Sequence, residues 1–213
     1  MRSIPELVEG YREFVNATWP RQAALYRALA EKGQSPRTMI VACCDSRADP
    51  ATIFNAKPGG LFVVRNVANL VPPFEPHGNF HGTSAALEFA VTTLNVEHIV
   101  VLGHARCGGI AAFLDGLHRH GGAQGFIARW LEILNGARVE DLAARQSETD
   151  AVAPQQAMEH AGIHLSLENL TEFPFVKERL AEGRLSLHGA YFDIANGALL
   201  SLDPESGAFE PVT

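Results

Sequence analysis

Apolar residues recur at helical spacing near the amino terminus, where Ile4, Leu7, Val8, Tyr11, Phe14 and Val15 are followed by Leu25, Tyr26 and Leu29. The spacing predicts two helices, broken at Trp19-Pro20 because proline lacks the amide that a helix interior needs. Gly33 to Pro36 is turn chemistry, and residues Thr38 to Cys43 (TMIVAC) then form a short continuous apolar run of the kind found in buried parallel strands. Leu61 to Val67 (LFVVRNV) and His98 to Gly103 (HIVVLG) repeat that signal. Between them, Ala86, Leu87, Ala90, Val91 and Leu94 fall on one stripe and predict a helix from about Thr83 to Leu94. Gly108 and Gly109 lead into a further helix through Ala111 and Leu114.

Helical patterning returns around residues 123 to 136, 154 to 170 and 174 to 182. Leu185 to Ile194 and Ala198 to Leu202 then flank Asn196-Gly197, a strong hairpin-turn signal that adds antiparallel strands at one edge. Strands alternating with helices imply an α/β fold, a central mostly parallel sheet flanked by helices. In such sheets ligands collect beyond the carboxyl ends of the strands. No repeat, low-complexity stretch or linker interrupts the chain, so residues 1–213 read as a single domain with a helical arm over 1–32. A chain of this length can bury roughly 70% of its unfolded surface and needs no covalent staples.

Composition narrows the function classes. Hydrophobic residues make up 46% of the chain and charged residues 19%, with no run approaching the ~20 apolar residues of a membrane span. A net charge of -7 provides no basic stripe for nucleic acid. The opening MRSIPELVEGYREF, acidic from Glu6 onward, matches neither a secretory signal nor a transit peptide, and the expectation is a cytoplasmic protein. In a reducing compartment three cysteines point to metal or catalysis rather than to disulfides.

Candidate chemistry sits at two predicted strand ends, in Cys43-Cys44-Asp45-Ser46-Arg47 and in His104-Ala105-Arg106-Cys107. Cys107 follows His104 by three residues, so an imidazole ending a strand and a thiol in the first turn of a helix can meet one ion. Cys43, from another strand end, completes a Cys2His set, one of the ligand sets with which catalytic zinc keeps a fourth position for water. Two thiolates and a neutral imidazole cancel the ion's charge, which weakens it as a Lewis acid and calls for help in orienting the fourth ligand. Asp45 can give that help if Arg47 holds it ionised and fixed by a bidentate pair. Cys44, facing the other way, reads as a structural thiol. His118 and His120 are candidate proton relays, although surface histidines are usually just solvated. His160 and His164 have a metal-binding spacing, but without a third ligand they read as ordinary helix residues.

With these motifs in place the chain resembles a beta-class carbonic anhydrase. The matching runs are Cys43-x-Asp45-Ser46-Arg47, Arg65-Asn66-Val67-Ala68-Asn69 and Gly103-His104-x-x-Cys107-Gly108-Gly109, in the family's order and spacing. The resemblance implies one zinc ion per subunit on Cys43, His104 and Cys107, reversible hydration of carbon dioxide to bicarbonate, and Asp45 with Arg47 as an orienting dyad. It implies a homodimer or a multiple of dimers, with the amino-terminal arm embracing the partner. It assigns Gln34, across the subunit interface, to a substrate oxygen, Phe62, Val67 and Phe89 to an apolar pocket, and the Gly108 amide to developing charge. Phe89 replaces a frequent tyrosine and Ala48 a usual valine. In the branch whose aspartate closes onto zinc, bicarbonate locks the closed state with a Trp, an Arg and a Tyr. Here Ile40 and Phe192 occupy the Trp and Tyr positions and only Arg65 remains, while Gly33 to Pro36 and Phe62 to Pro73 resemble the plant-like, open branch. Two other readings fit the same residues: hydrolysis of carbon disulfide or carbonyl sulfide, and a structural zinc protein with Asp45 as a fourth ligand.

Overall fold

A computed structural model describes residues 3–77, 81–116, 125–137 and 153–212. The chain forms two compact units, Met1–Ser35 and Pro36–Thr213. In the first, α1 (Ile4–Glu13) runs through a π-helical turn (Phe14–Thr18) into α2 (Trp19–Lys32). The break expected at Trp19-Pro20 is absent: Thr18 and Trp19 keep right-handed helical dihedrals. The widened turn ends two residues before Pro20, and such bulges are a recognised way of fitting an irregularity into a helix without ending it. Phe14, Trp19 and Tyr26 form an aromatic cluster across this turn, with ring centroids 5.3 to 6.3 Å apart. Nothing in the two helices is buried, and Ile4, Leu7, Val8, Tyr11 and Val15 are exposed.

The second unit is a six-stranded sheet in the order β2-β1-β3-β4-β5-β6. β1 (Thr38–Cys43), β2 (Leu61–Asn66), β3 (His98–His104) and β4 (Ser186–Asp193) are parallel, whereas β5 (Ala198–Leu202) and β6 (Phe209–Pro211) are antiparallel additions. Among the described residues the α-helices of this unit are α3 (Pro50–Ile53), α4 (Gly82–Glu88), α5 (Gly108–Leu114), α6 (Phe126–Leu131), α7 (Pro154–Glu172) and α8 (Pro174–Ala181). α4 passes into a π-helical turn at Phe89–Thr93, so the expected helix of residues 83 to 94 is present but not uniform.

β1 is apolar throughout because it is covered on both faces. Met39 and Val41 join Ile99, Val101, Ile163, Leu170 and Tyr191 in one core, while Ile40, Ala42, Leu102 and Ala190 form a second on the opposite face. α7 lies close against the sheet, where a Cβ at Gly103 would stand 2.6 Å from Ile163 Cδ1. The chain leaves β1 for β2 on one side and reaches β3 on the other, so β1 is the switch point of the sheet. The carboxyl ends of β1 and β3 therefore open a crevice between diverging connections.

Candidate metal centre

Cys43 is the last residue of β1, His104 the last of β3, and Cys107 the N-cap of α5. Between the last two, Arg106 adopts a left-handed conformation (φ 56°), which folds the chain back sharply enough to return Cys107 to the strand ends. Ala68 (φ 65°) and Asn69 (φ 49°) make a second such turn after β2. Its shape is held by Asn66, whose side chain donates to the Leu70 carbonyl (2.8 Å) and accepts from the Leu70 amide (2.9 Å). A non-glycine left-handed residue costs roughly 1–2 kcal/mol, so both turns are maintained by their surroundings.

The three donor atoms lie within 4.8 Å of one another, all on buried residues, and among the described residues no other group of three or more potential ligands comes together. The sulfurs are 3.9 Å apart. Tetrahedral zinc with Zn–S bonds of about 2.3 Å calls for a separation of roughly 3.8 Å, so the spacing fits the ion. His104 Nδ1 faces its neighbour's carbonyl, Ala105 O, at 2.9 Å, which puts the proton on Nδ1 and leaves Nε2 with a lone pair. That Nε2 is buried and has no hydrogen-bond partner, the condition of a ligand atom awaiting a cation. The thiols agree. Hydrogen bonding from Cys107 pulls the Cys43 thiol well down, while the same contact, together with burial, pushes Cys107 up. The pair thus holds one thiolate more readily than two, and a cation bound between the sulfurs would favour the second.

Asp45 and Arg47 stand beside the set. Asp45 Oδ1 accepts from the Arg47 amide and Nε, both at 2.9 Å, and Oδ2 accepts from Nη2 at 2.7 Å. These bonds hold the Asp45 carboxyl far below the usual carboxylate range in spite of its partial burial. Arg47 Nη2 also donates to the Arg106 carbonyl (3.1 Å), tying the dyad to the other ligand loop. Asp45 Oδ2 lies 4.0 Å from His104 Nε2, within reach of a small ligand on the ion. Arg65 braces this loop from β2, donating to the carbonyls of Cys43 (2.8 Å) and Asp45 (2.6 Å) and to Asp49 (3.2 Å).

A buried network behind Cys107 was not anticipated from the sequence. Glu159 of α7 accepts from the Cys107 amide (2.8 Å) and Gln155 (3.0 Å) on Oε1, and from the Tyr191 hydroxyl (2.7 Å) on Oε2. It thereby clamps the backbone of a ligand to the helix and to β4.

The other expected site residues are distributed unevenly. Val67 packs with Cys43 and Cys107, and Gly108 opens α5 directly after Cys107. Phe62 and Phe89 are neighbours, with ring centroids 5.9 Å apart, but Phe62 is in register with Met39, four residues before Cys43. At about 3.3 Å per residue that is roughly 13 Å from the strand end. Within one chain these two rings therefore do not share a pocket with the ligands. Gln34 is an exposed residue of the first unit. Cys44, read as a structural thiol, is exposed, and His160 is enclosed by the rings of Tyr191 and Phe209. His118 and His120 lie outside the described residues.

A buried Cys2His set at the switch point of a parallel sheet, with a carboxylate–guanidinium pair beside it, defines a class of α/β zinc protein. The Carbonic anhydrase family matches residues 38–199. Beta carbonic anhydrase 5, chloroplastic, of Arabidopsis thaliana is 42% identical over 171 residues, covering 80% of this chain and 55% of that protein. The chain thus spans little more than half of that relative's length. Beta carbonic anhydrase 3 of the same plant is 34% identical, covering 92% of this chain and 75% of the relative. The solved structure of the beta-carbonic anhydrase CcaA superposes with a TM-score of 0.85 at 30% identity, covering 99% of this chain and 92% of that one. The chain belongs to the carbonic anhydrase family, in its beta class. Among the described residues no helix is long and apolar enough to cross a membrane.

Proposed function

We propose that this chain catalyses the reversible hydration of carbon dioxide to bicarbonate and a proton, with one zinc ion per chain on Cys43, His104 and Cys107. The observation that carries the reading is the buried donor triad with the Asp45–Arg47 pair 4.0 Å from its imidazole. Held by these three residues, zinc would supply Lewis acidity and would make a water acidic enough to act as a nucleophile near neutral pH. Asp45, 4.0 Å from the His104 imidazole, would accept a hydrogen bond from that water and so orient it. Arg47 keeps Asp45 ionised and aimed. Val67 offers carbon dioxide an apolar wall, and the Gly108 amide meets charge developing on the substrate oxygens.

An open site belongs to the same reading. Both Asp45 oxygens are engaged by Arg47, which favours an aspartate that orients water over one that ligates the ion. This also weighs against a structural centre with Asp45 as fourth ligand. Phe62, Phe89 and Gln34 are assigned to the pocket of a partner subunit, since the two rings stand away from the ligands of their own chain. A homodimer, or a multiple of dimers, follows, joined through the exposed apolar residues of the first unit. The cytoplasm is the proposed location. Sedimentation and cell fractionation test these two assignments.

The experiment for the activity is stopped-flow carbon dioxide hydration by zinc-verified protein from about pH 6.5 to 9, across the titration expected of such a water. Fast hydration persisting towards neutral pH is expected. Hydration confined to alkaline pH would overturn the open site, and its absence throughout would overturn the activity.

A further inference from the structure

We infer that His98 and His188 form a second, solvent-accessible site for a divalent transition metal of the zinc class, at the opposite end of the sheet from the Cys2His centre. β3 and β4 are parallel, with His98 opposite Ser186 and Val100 opposite His188. The two histidines are therefore two residues out of register on adjacent strands and project from the same face of the sheet. His98 Nδ1 and His188 Nε2 are 3.2 Å apart, and the ring centroids 5.3 Å. Two imidazoles on one tetrahedral ion, with Zn–N bonds of about 2.0–2.1 Å, require a nitrogen separation near 3.3 Å. The pair stands at that separation.

Its setting is suited to binding. Both histidines are held on strands paired on both sides, so little chain entropy is lost when an ion joins them. His188 is exposed and His98 half-buried, which gives an ion access from water and leaves its other positions to solvent. Glu97, next in sequence to His98, is engaged by Arg37 through Nε at 2.9 Å and a second contact to Nη2, so the two imidazoles supply the protein ligands. His98 and His104 begin and end the same strand, roughly 20 Å apart, and the two metal sites share no residue. An ion at the histidine pair clips β3 to β4. The rival account of the 3.2 Å contact is a plain N–H···N hydrogen bond between the rings, and a titration separates the two.

The test uses the full chain with its Cys2His centre already filled. Equilibrium dialysis against Zn2+ above the ordinary histidine titration range, followed by elemental analysis, reads the metal content. A second zinc per chain is expected, with His98→Ala and His188→Ala each weakening it by about tenfold or more while the first zinc stays bound. The second zinc should also raise the melting temperature of the parent protein and not of either variant. A parent chain that takes up no second zinc, or a second zinc that both variants bind unchanged, would overturn the site. Neither readout depends on hydration activity, so the inference stands or falls separately from the proposed function.

Discussion

At the scale of single residues, ligands and orienting groups should separate cleanly. Cys107→Ala removes a donor from a closely spaced triad, and metal content should fall from near one zinc per chain towards none. Asp45→Ala leaves the triad whole, so zinc should stay bound while hydration falls by roughly 100-fold or more, the usual scale of a positioned proton-accepting group. Loss of zinc from that variant would instead identify Asp45 as a ligand. Glu159 behaves differently because it supports rather than reacts. Glu159→Ala strands the Cys107 amide and the Tyr191 hydroxyl in the core, at about 1–3 kcal/mol each. Urea unfolding of the zinc-loaded protein should show that loss together with faster release of zinc to a chelator. Glu159→Gln keeps one acceptor and should fall in between. The triad was legible in the sequence because Cys43 and His104 each end an apolar run and Cys107 follows His104 by three residues. Glu159 was not, since it meets Cys107 across 52 residues and only the packing of α7 brings them together.

At the scale of elements, the strands and the long helices Pro154–Glu172 and Pro174–Ala181 fall close to where the pattern puts them, and irregular helical turns do not. β1 and β5 begin and end where the apolar pattern does, because burial on both faces of β1 and the Asn196-Gly197 turn before β5 define their limits. The helix over residues 83 to 94 is where the pattern places it, but the π turns at Phe14–Thr18 and Phe89–Thr93 were not legible, since a single widened turn is too short to set a period of its own. β6 escaped notice because three residues ending in proline carry no alternation. Close packing of α7 on β3 gives a direct test. Gly103→Ala places a methyl group against Ile163 and should cost about 1–3 kcal/mol in chemical denaturation. Adding Ile163→Val removes the nearest clashing carbon, and the double variant should recover part of that loss. Additive losses would show that the glycine is required for some other reason.

At the scale of the whole molecule, stability should depend on pH in two separate windows. His160 sits inside the core between Tyr191 and Phe209, and burial, with the charge of His164 added, lowers its pKa from 6.5 to about 4. In the unfolded chain the same imidazole takes up a proton below about 6.5. Between those values the unfolded state binds more protons than the folded one, so stability rises with pH across the interval. The contribution is complete above about 6.5 and is lost as the solution is acidified towards 4, amounting to about 3 kcal/mol. Carboxylates such as Asp45, held far below their ordinary range, remain ionised through that window and give up their contribution only at lower pH. Urea midpoints recorded across the acid range should therefore fall first through the histidine window and again below it. His160→Phe keeps an aromatic ring between its two neighbours and removes the titration, so the difference between variant and parent should grow in the variant's favour as pH drops from 6.5 to 4. A difference that stays constant over that interval would mean that His160 is protonated as readily in the fold as outside it, and that the acid sensitivity of the molecule arises elsewhere.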